Sequence, residues 1–315
     1  MEYRRFFIQL VKFIIILIVF DIVIGLSMRH LFFSQTSGKY YRISYPLEKT
    51  TDSLIIFGSS RANRHYSPSI LTKETGVSCY NAGMQGKNIV FTDAIQKVIL
   101  TRHKPKMIIL DINPHELLEN PVQYDKLGDL IPYYFKYEEL LRPYINKKSK
   151  YENIKLLSIT YQYNSTILHI LKYKFLPQKD DNGYLPVKGT NIKIGKEELK
   201  ESKNQSVKNI DNYFAESLES FIKRSKDLKI PIILVVSPMY KSNLKNDDKS
   251  FNLIKKIANK YNVQILNYLN SPEFDNPELF FDALHLNNVG SKKFSEKFAQ
   301  DLKNIFLIKD NITAE

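Results

Sequence analysis

The chain has 315 residues, of which 46 are Lys or Arg and 33 are Asp or Glu, for a formal net charge of +13. Hydrophobic residues at 43% and aromatic residues at 12% are enough to bury a core, which excludes wholesale disorder, a collagen-like repeat and a coiled coil. A single cysteine, Cys79, excludes an intramolecular disulfide and a thiolate metal cluster. The basic excess comes with no Cys/His zinc pattern, aromatic RNA-binding strand or compact basic arm, so nucleic acid is not read as a partner. Basic runs such as residues 193–208 read as solvated faces. Near an anionic lipid or glycan surface each well-placed cation adds about 1 kcal/mol of attraction.

Residues 6–26 form an almost unbroken apolar run of about 20 residues, the length that crosses a bilayer as a helix. After Gly25 the chain reads Leu26, Ser27, Met28, Arg29 without a small-residue cleavage site, so residues 1–29 are expected to remain as a signal anchor. Arg4, Arg5, Lys12 and the terminal amine crowd the front of the run, whereas Arg29, Lys39 and Arg42 are spread out behind it. The positive-inside rule then expects a single-pass protein of the cell membrane, with its N-terminus cytoplasmic and the remainder extracytoplasmic. Asp21 stands deep in the run, where an ionisable group is costly; it reads either as a contact to another membrane protein or as a snorkelling carboxyl.

Residues 30–50 read as a polar, Tyr-rich connector. Short apolar runs follow at residues 52–57, 77–80, 106–112, 230–236 and 263–267, each with the length and composition of a buried strand. Helical patterns lie at residues 90–103, 209–228, 250–261 and 289–306. The alternation predicts an α/β domain over residues 51–308 with a mainly parallel sheet and helices on both faces, then a tail at 309–315. Residues 121–206 interrupt it with an insertion rich in Tyr and Lys, including Tyr133, Tyr134, Tyr144, Tyr151, Tyr161, Tyr163 and Tyr173, and a turn signal at Asp181-Asn-Gly. Such tyrosines suit a sugar-stacking lid, or a helical insertion packed on the core.

In parallel sheets the working residues sit on loops at the carboxyl ends of strands. Those loops here read Gly58-Ser59-Ser60-Arg61, then Asn81-Ala-Gly83-Met-Gln-Gly86, then Asn113-Pro-His115-Glu116, then Ser237-Pro238; Asp282-Ala-Leu-His285 precedes the last helix. A serine hydroxyl is a weak nucleophile until a base takes its proton, and that base must be held in one tautomer by a carboxylate. His285 suits the base and Asp282, three residues earlier, the carboxylate. The amides of Ser60 and Gly86 suit an oxyanion hole. Ser59 is the rival hydroxyl. Arg61, Asn63 and His65 read as surface groups of the following helix. His30, His103 and His169 have no acidic or cysteine partner at ligand spacing, and neither a metal nor a cofactor site is read.

Taken in order, Gly58-Ser59-Ser60, Asn81 to Gly86, the Asn113 region and Asp282-x-x-His285 resemble the blocks of the SGNH/GDSL hydrolase superfamily, over about residues 50–306. The resemblance implies a flavodoxin-like three-layer fold, with Ser60 as nucleophile, Gly86 as oxyanion glycine, Asp282 and His285 completing the triad, and Ser59 as a supporting hydrogen-bonder. The Gly-Ser-Ser form behind a membrane anchor is more similar to the envelope acyltransferase-associated branch, such as teichoic-acid D-alanyl transfer and polysaccharide O-acetylation proteins, than to secreted lipases. One block departs: Gly-x-Asn-Asp is absent, and an ungapped match puts His115 in the slot of the oxyanion asparagine, with Asn113 as the other donor.

The resemblance implies a membrane-tethered serine enzyme that adds or moves a short acyl group, acetyl foremost, on a cell-envelope polysaccharide, with a multi-pass membrane O-acyltransferase as partner. A carbohydrate or lipid esterase uses the same parts. A non-catalytic adaptor of the multi-pass protein would share the fold without turnover.

Overall fold

A computed structural model describes residues 2–191, 208–241 and 248–312; of the basic stretch 193–208, only Lys208 falls among them. In chain order the helices are α1 (Glu2–Phe33), α2 (Gly38–Glu48), α3 (Ser60–His65), α4 (Pro68–Thr75), α5 (Ile89–Arg102), α6 (Val122–Asp125), α7 (Glu138–Lys148), α8 (Glu152–Lys155), α9 (Ile159–Tyr163), α10 (Ile167–Phe175), α11 (Asn212–Asp227), α12 (Lys249–Lys260) and α13 (Asn288–Ile312). The strands are β1 (Leu54–Gly58), β2 (Cys79–Asn81), β3 (Met107–Asp111), β4 (Ile232–Val236) and β5 (Ile265–Asn267). The described chain divides into two compact units, Met1–Ser44 with Tyr124–Lys179, and Tyr45–Gln123 with Asp180–Glu315.

The second unit is an α/β domain whose five strands are all parallel, in the order β2-β1-β3-β4-β5. β1, β3 and β4 are buried along their whole length, which is why they read as continuous apolar runs. Successive side chains point to opposite faces. Leu54, Ile56, Met107, Ile109, Ile233 and Val235 share a core with Ala62 of α3, Leu71 of α4 and Phe294 and Phe298 of α13. On the other face Phe57 meets Phe221 of α11 edge to face, at 5.3 Å between ring centroids, and α11 packs against α5. The strand order reverses between β1 and β3, so the crevice beyond their carboxyl ends is where this topology opens.

Two glycines bring the loops together there. Gly58 pairs with Asp111 across the β1–β3 ladder at φ +141°, and a Cβ on it would lie 2.5 Å from the Asp111 carbonyl oxygen. A Cβ on Gly83 would lie 2.5 Å from the backbone nitrogen of Asn63. Asn81 secures the same approach: its Nδ2 donates to the carbonyls of Ala62 at 2.7 Å and Tyr66 at 2.9 Å, and its Oδ1 accepts from the Gly83 amide at 3.0 Å. The Asp181-Asn-Gly signal forms a tight hairpin, with Asn182 and Gly183 at positive φ and reciprocal backbone bonds between Asp181 and Tyr184. Asn182 O accepts from the Asn81 amide at 2.9 Å, and Gly183 O accepts from Asn63 Nδ2 at 2.7 Å. Asn63 is therefore an interior tie, not a surface group.

In the first unit α1 packs against α9 and α10. Asp21, Gly25, Met28, Leu31 and Phe32, which recur at three- and four-residue spacing, are the less exposed positions of an otherwise exposed helix. Phe32 meets the rings of Tyr40, Tyr133 and Tyr163 at 5.4, 5.5 and 5.6 Å. Asp21 is engaged inside the chain: its carboxylate accepts from Ser158 Oγ at 2.6 Å and from the amides of Ile159 at 2.8 Å and Thr160 at 3.2 Å. Three donors of the chain itself satisfy the carboxylate. α1 is long and apolar enough to cross a membrane, with a mean hydropathy of 2.7 in its most apolar window. The stretch read as a connector contains α2, in which Tyr40, Ile43 and Leu47 are buried at helical spacing.

Gly83→Ala is expected to destabilise the protein by about 1–3 kcal/mol through overpacking against α3. Gly128→Ala, whose Cβ would meet only the flexible Lys148 side chain at 3.3 Å, should change stability by no more than about 0.5 kcal/mol. Equal melting temperatures for the two variants would refute the close-approach argument.

Candidate functional site

The loops after β1 and before α13 bring together the three side chains that a serine relay needs. Ser60 Oγ lies 2.7 Å from His285 Nε2. On the other side of the ring, His285 Nδ1 lies 2.8 and 2.9 Å from the two carboxylate oxygens of Asp282. Asp282 Oδ1 also accepts from the amides of Leu284 and His285, each at 2.9 Å. Burial alone would raise the Asp282 pKa; the bonds from the His285 ring and from these two amides outweigh it and hold the carboxyl below its usual range. An ionised Asp282 makes Nδ1 the protonated ring nitrogen and leaves Nε2 to accept the Ser60 proton. The hydroxyl in reach of His285 is that of Ser60, whereas Ser59 faces a neighbouring cavity.

A buried second layer positions this relay. His65 is fully buried; its Nε2 accepts from the Leu286 amide at 3.0 Å, so its Nδ1 donates to Ser237 Oγ at 2.9 Å. Burial first, then the charges of His285, Arg61 and Arg64, push its pKa well below the ordinary imidazole value. A neutral His65 thus fixes the residue that follows His285, and Ser237, on the loop after β4, fixes His65. Arg61 is also interior: its guanidinium donates to Ile112 O at 2.6 Å and lies 3.1 Å from Asp111 Oδ1. Asp111 Oδ2 accepts from the Tyr66 hydroxyl at 2.7 Å. The expectation of surface roles for Arg61 and His65 is therefore corrected. Both lie on a six-residue helix that is buried on several sides, and no amphipathic period in so short an element marks its faces.

Beside the relay lies a cavity of about 240 Å³ lined by Ser59, Gly86, Asn88, Asn113, His115 and Glu116 among others. Gly86 is at φ +70°. Both side-chain oxyanion candidates border this cavity. Asn113 Oδ1 accepts from the His115 amide at 2.9 Å, leaving Nδ2 as the donor of that side chain, while His115 Nδ1 lies 3.0 Å from Asp248 Oδ2. Asn88, Asn120, Gln123, Lys87 and Lys208 add polar groups, and Phe214 contributes one aromatic wall. Glu116 accepts from the Ile89 amide at 2.7 Å, and burial pushes its pKa up to about 7. Sequence reasoning missed Glu116 as a titrating group because its burial depends on β3, α5 and their loops meeting in space.

No family model and no curated protein matches the chain. Among solved structures it is similar to a lipolytic-type protein of the G-D-S-L family from Desulfitobacterium hafniense DCB-2, at 11% identity and a TM-score of 0.40, covering 79% of this chain and 98% of that one. A family two carbohydrate esterase from Clostridium thermocellum, solved with cellohexaose, matches at 8% identity and a TM-score of 0.38 over 82% of this chain and 66% of that one. A gut microbial diltiazem-metabolizing enzyme matches at 13% identity and a TM-score of 0.37, over 79% of this chain and 48% of that one.

His65→Ala leaves the Leu286 amide without its buried acceptor and is expected to cost about 1–3 kcal/mol of stability, read as a lowered Tm. The folded state binds the Glu116 proton more tightly than the unfolded chain does, so this residue lowers stability progressively as pH rises from 4.5 to about 7. Glu116→Gln keeps the acceptor for Ile89. It should match the parent Tm near pH ~4 and exceed it near pH ~8; equal gaps at both pH values would contradict the assignment.

Proposed function

We propose that this chain is a serine acyl-transfer enzyme of the SGNH/GDSL type, tethered to a membrane by α1, which adds or moves a short acyl group on a cell-envelope polysaccharide. The observation that carries the proposal is the continuous relay Ser60 Oγ–His285 Nε2, His285 Nδ1–Asp282, with hydrogen bonds of 2.7 to 2.9 Å along its length. An intact relay serves turnover and has no use in a passive adaptor.

In the first half-reaction Ser60 Oγ attacks the carbonyl carbon of an acyl ester as its proton passes to His285 Nε2. Asp282 stabilises the imidazolium that forms. In this reading the amides of Ser60 and Gly86, with the side chain of Asn113 or alternatively His115, would donate to the developing oxyanion. The carbon–oxygen bond to the leaving group then breaks, His285 returns the proton to that oxygen, and the acyl group stays on Ser60 as an ester. In the second half an acceptor hydroxyl attacks the same carbon, gives its proton to His285, and leaves with the acyl group as Ser60 recovers its hydrogen. A sugar hydroxyl as acceptor gives transfer, and water gives hydrolysis. The amide-rich lining of the adjoining cavity supports a polyhydroxylated acceptor, since such side chains both donate to and accept from sugar hydroxyls.

Ser60→Ala is expected to lower turnover of a small acyl ester at least about a thousandfold, with Ser59→Ala costing far less. The reverse ranking would displace Ser60 as nucleophile. In cells, Ser60→Ala at normal protein level should lower the acyl content of the envelope polysaccharide if the enzyme transfers, and raise it if the enzyme deacylates. A reporter fused after Glu315 should read as extracytoplasmic; a cytoplasmic signal would overturn the topology.

A further inference from the structure

In the first unit Ser158, Ile159 and Thr160, the end of the segment from Ser149 to Thr160, lie against α1 at Asp21. Gly25 touches the same segment: a Cβ on it would lie 2.5 Å from Ile159 Cγ2. The apolar run of α1 ends at Leu26, five residues beyond Asp21, which is about 7.5 Å along a helix. Helices that lie in a membrane interface bury their apolar face about 5–10 Å deep, at the boundary of headgroups and acyl chains. Wherever the end of the run meets the bilayer surface, Ser158, Ile159 and Thr160 are at that depth.

The chemistry of the segment fits lipid. Ile154 and Leu157 are 67% and 82% exposed and make no apolar contact that would hide them in the unit. Every backbone N–H from Ile154 to Tyr161 donates within the protein: Ile154 and Lys155 to Tyr151 O, Leu156 to Glu152 O, Leu157 to Ile154 O, Ser158 to Lys155 O, Ile159 and Thr160 to Asp21, and Tyr161 to Ser158 Oγ. Internal satisfaction of backbone donors is what hydrocarbon demands and water does not. Both acids of the region have partners within the unit: Asp21 accepts from its three uncharged donors, and Glu152 pairs with Lys148 at 2.9 Å and Lys155 at 2.8 Å and accepts from the Tyr161 hydroxyl at 2.8 Å. Tyr151, 54% exposed, and Lys150 flank it as aromatic and cationic groups suited to the headgroup layer.

We infer that residues 149–160 form a lipid-inserting wedge, with Ile154 and Leu157 seated in the headgroup–acyl boundary of the leaflet from which α1 emerges. The inference rests on α1 as a membrane span. Lipid is the occupant that the segment fits, because it adjoins the apolar run of α1 and presents the exposed apolar side chains of Ile154 and Leu157. The wedge would fix the rotation and tilt of the tether, which a single helix alone leaves free.

The test uses the full chain in vesicles of mixed phosphatidylcholine and phosphatidylglycerol, with an environment-sensitive fluorophore on Leu157→Cys, Ile15→Cys or Asn259→Cys. Cys79 is buried with its thiol pKa pushed well up, and the unsubstituted chain supplies the background. Lipids carrying a nitroxide high on the acyl chain should quench Leu157→Cys roughly twofold or more over Asn259→Cys, and iodide in the water should spare it. Quenching of Leu157→Cys by iodide and not by lipid, with Ile15→Cys still quenched by lipid, overturns the wedge and leaves the span intact. Protection from both quenchers overturns it in favour of a protein cover. Loss of lipid quenching at Ile15→Cys overturns the span itself.

Discussion

The end of β1 is a point of close backbone approach in the α/β unit, and the placement of the site follows from it. Gly58 sits opposite Asp111 with no room for a Cβ, and its carbonyl accepts the Met84 amide at 3.0 Å. Three chain segments thus meet within backbone distance: the turn that carries Ser59 and Ser60, the loop after β2 that carries Gly83 and Gly86, and the end of β3 that leads to Asn113. A side chain at position 58 would push the β3 end away and separate the hydroxyl from the loops that border its cavity.

From that point the relay is built outwards on backbone support. Asp282 accepts two amides of its own turn before it receives the His285 ring, and His65 holds the next amide along, that of Leu286. His285 therefore has its backbone fixed on both sides, and the 2.7 Å bond to Ser60 does not depend on mobile side chains alone. Burying a neutral imidazole and an Arg61–Asp111 pair beneath Ser60 costs desolvation. Their role is orientation: each interior polar group points a backbone element that the chemistry uses.

The parts of this arrangement legible in the sequence are those with local signatures. The strand runs announced β1, β3, β4 and the shorter β2 because burial on both faces leaves no alternation to confuse with loops, and the part-buried β5 by its short apolar run. Ser60, Asp282 and His285 stood out since each lies directly beyond a strand or before a helix. Arg61, Asn63 and His65 were opaque because their partners, Asp111, Gly183 and Ser237, are 50 to 172 residues away, and nothing in Ser-Arg-Ala-Asn-Arg-His tells a polar surface helix from one enclosed by them. α2 was obscured by tyrosines whose polar tips hid the helical spacing of Tyr40, Ile43 and Leu47. Asp21 was conspicuous in the sequence, but the 137 residues separating it from Ser158 concealed its partner.

That separation has a bearing on how the protein is made. A ribosome adding about 5–20 residues per second releases Ser158 roughly 7–27 s after Asp21. If α1 enters a bilayer as it is synthesised, its carboxylate waits through that interval without the three donors it finally holds. The helix is then free to slide outward, leaving Asp21 among the headgroups, and settles at its final depth only when the arriving segment docks. Biogenesis would thus place the helix in two stages, with the second stage acting as a check that the chain beyond it has begun to fold.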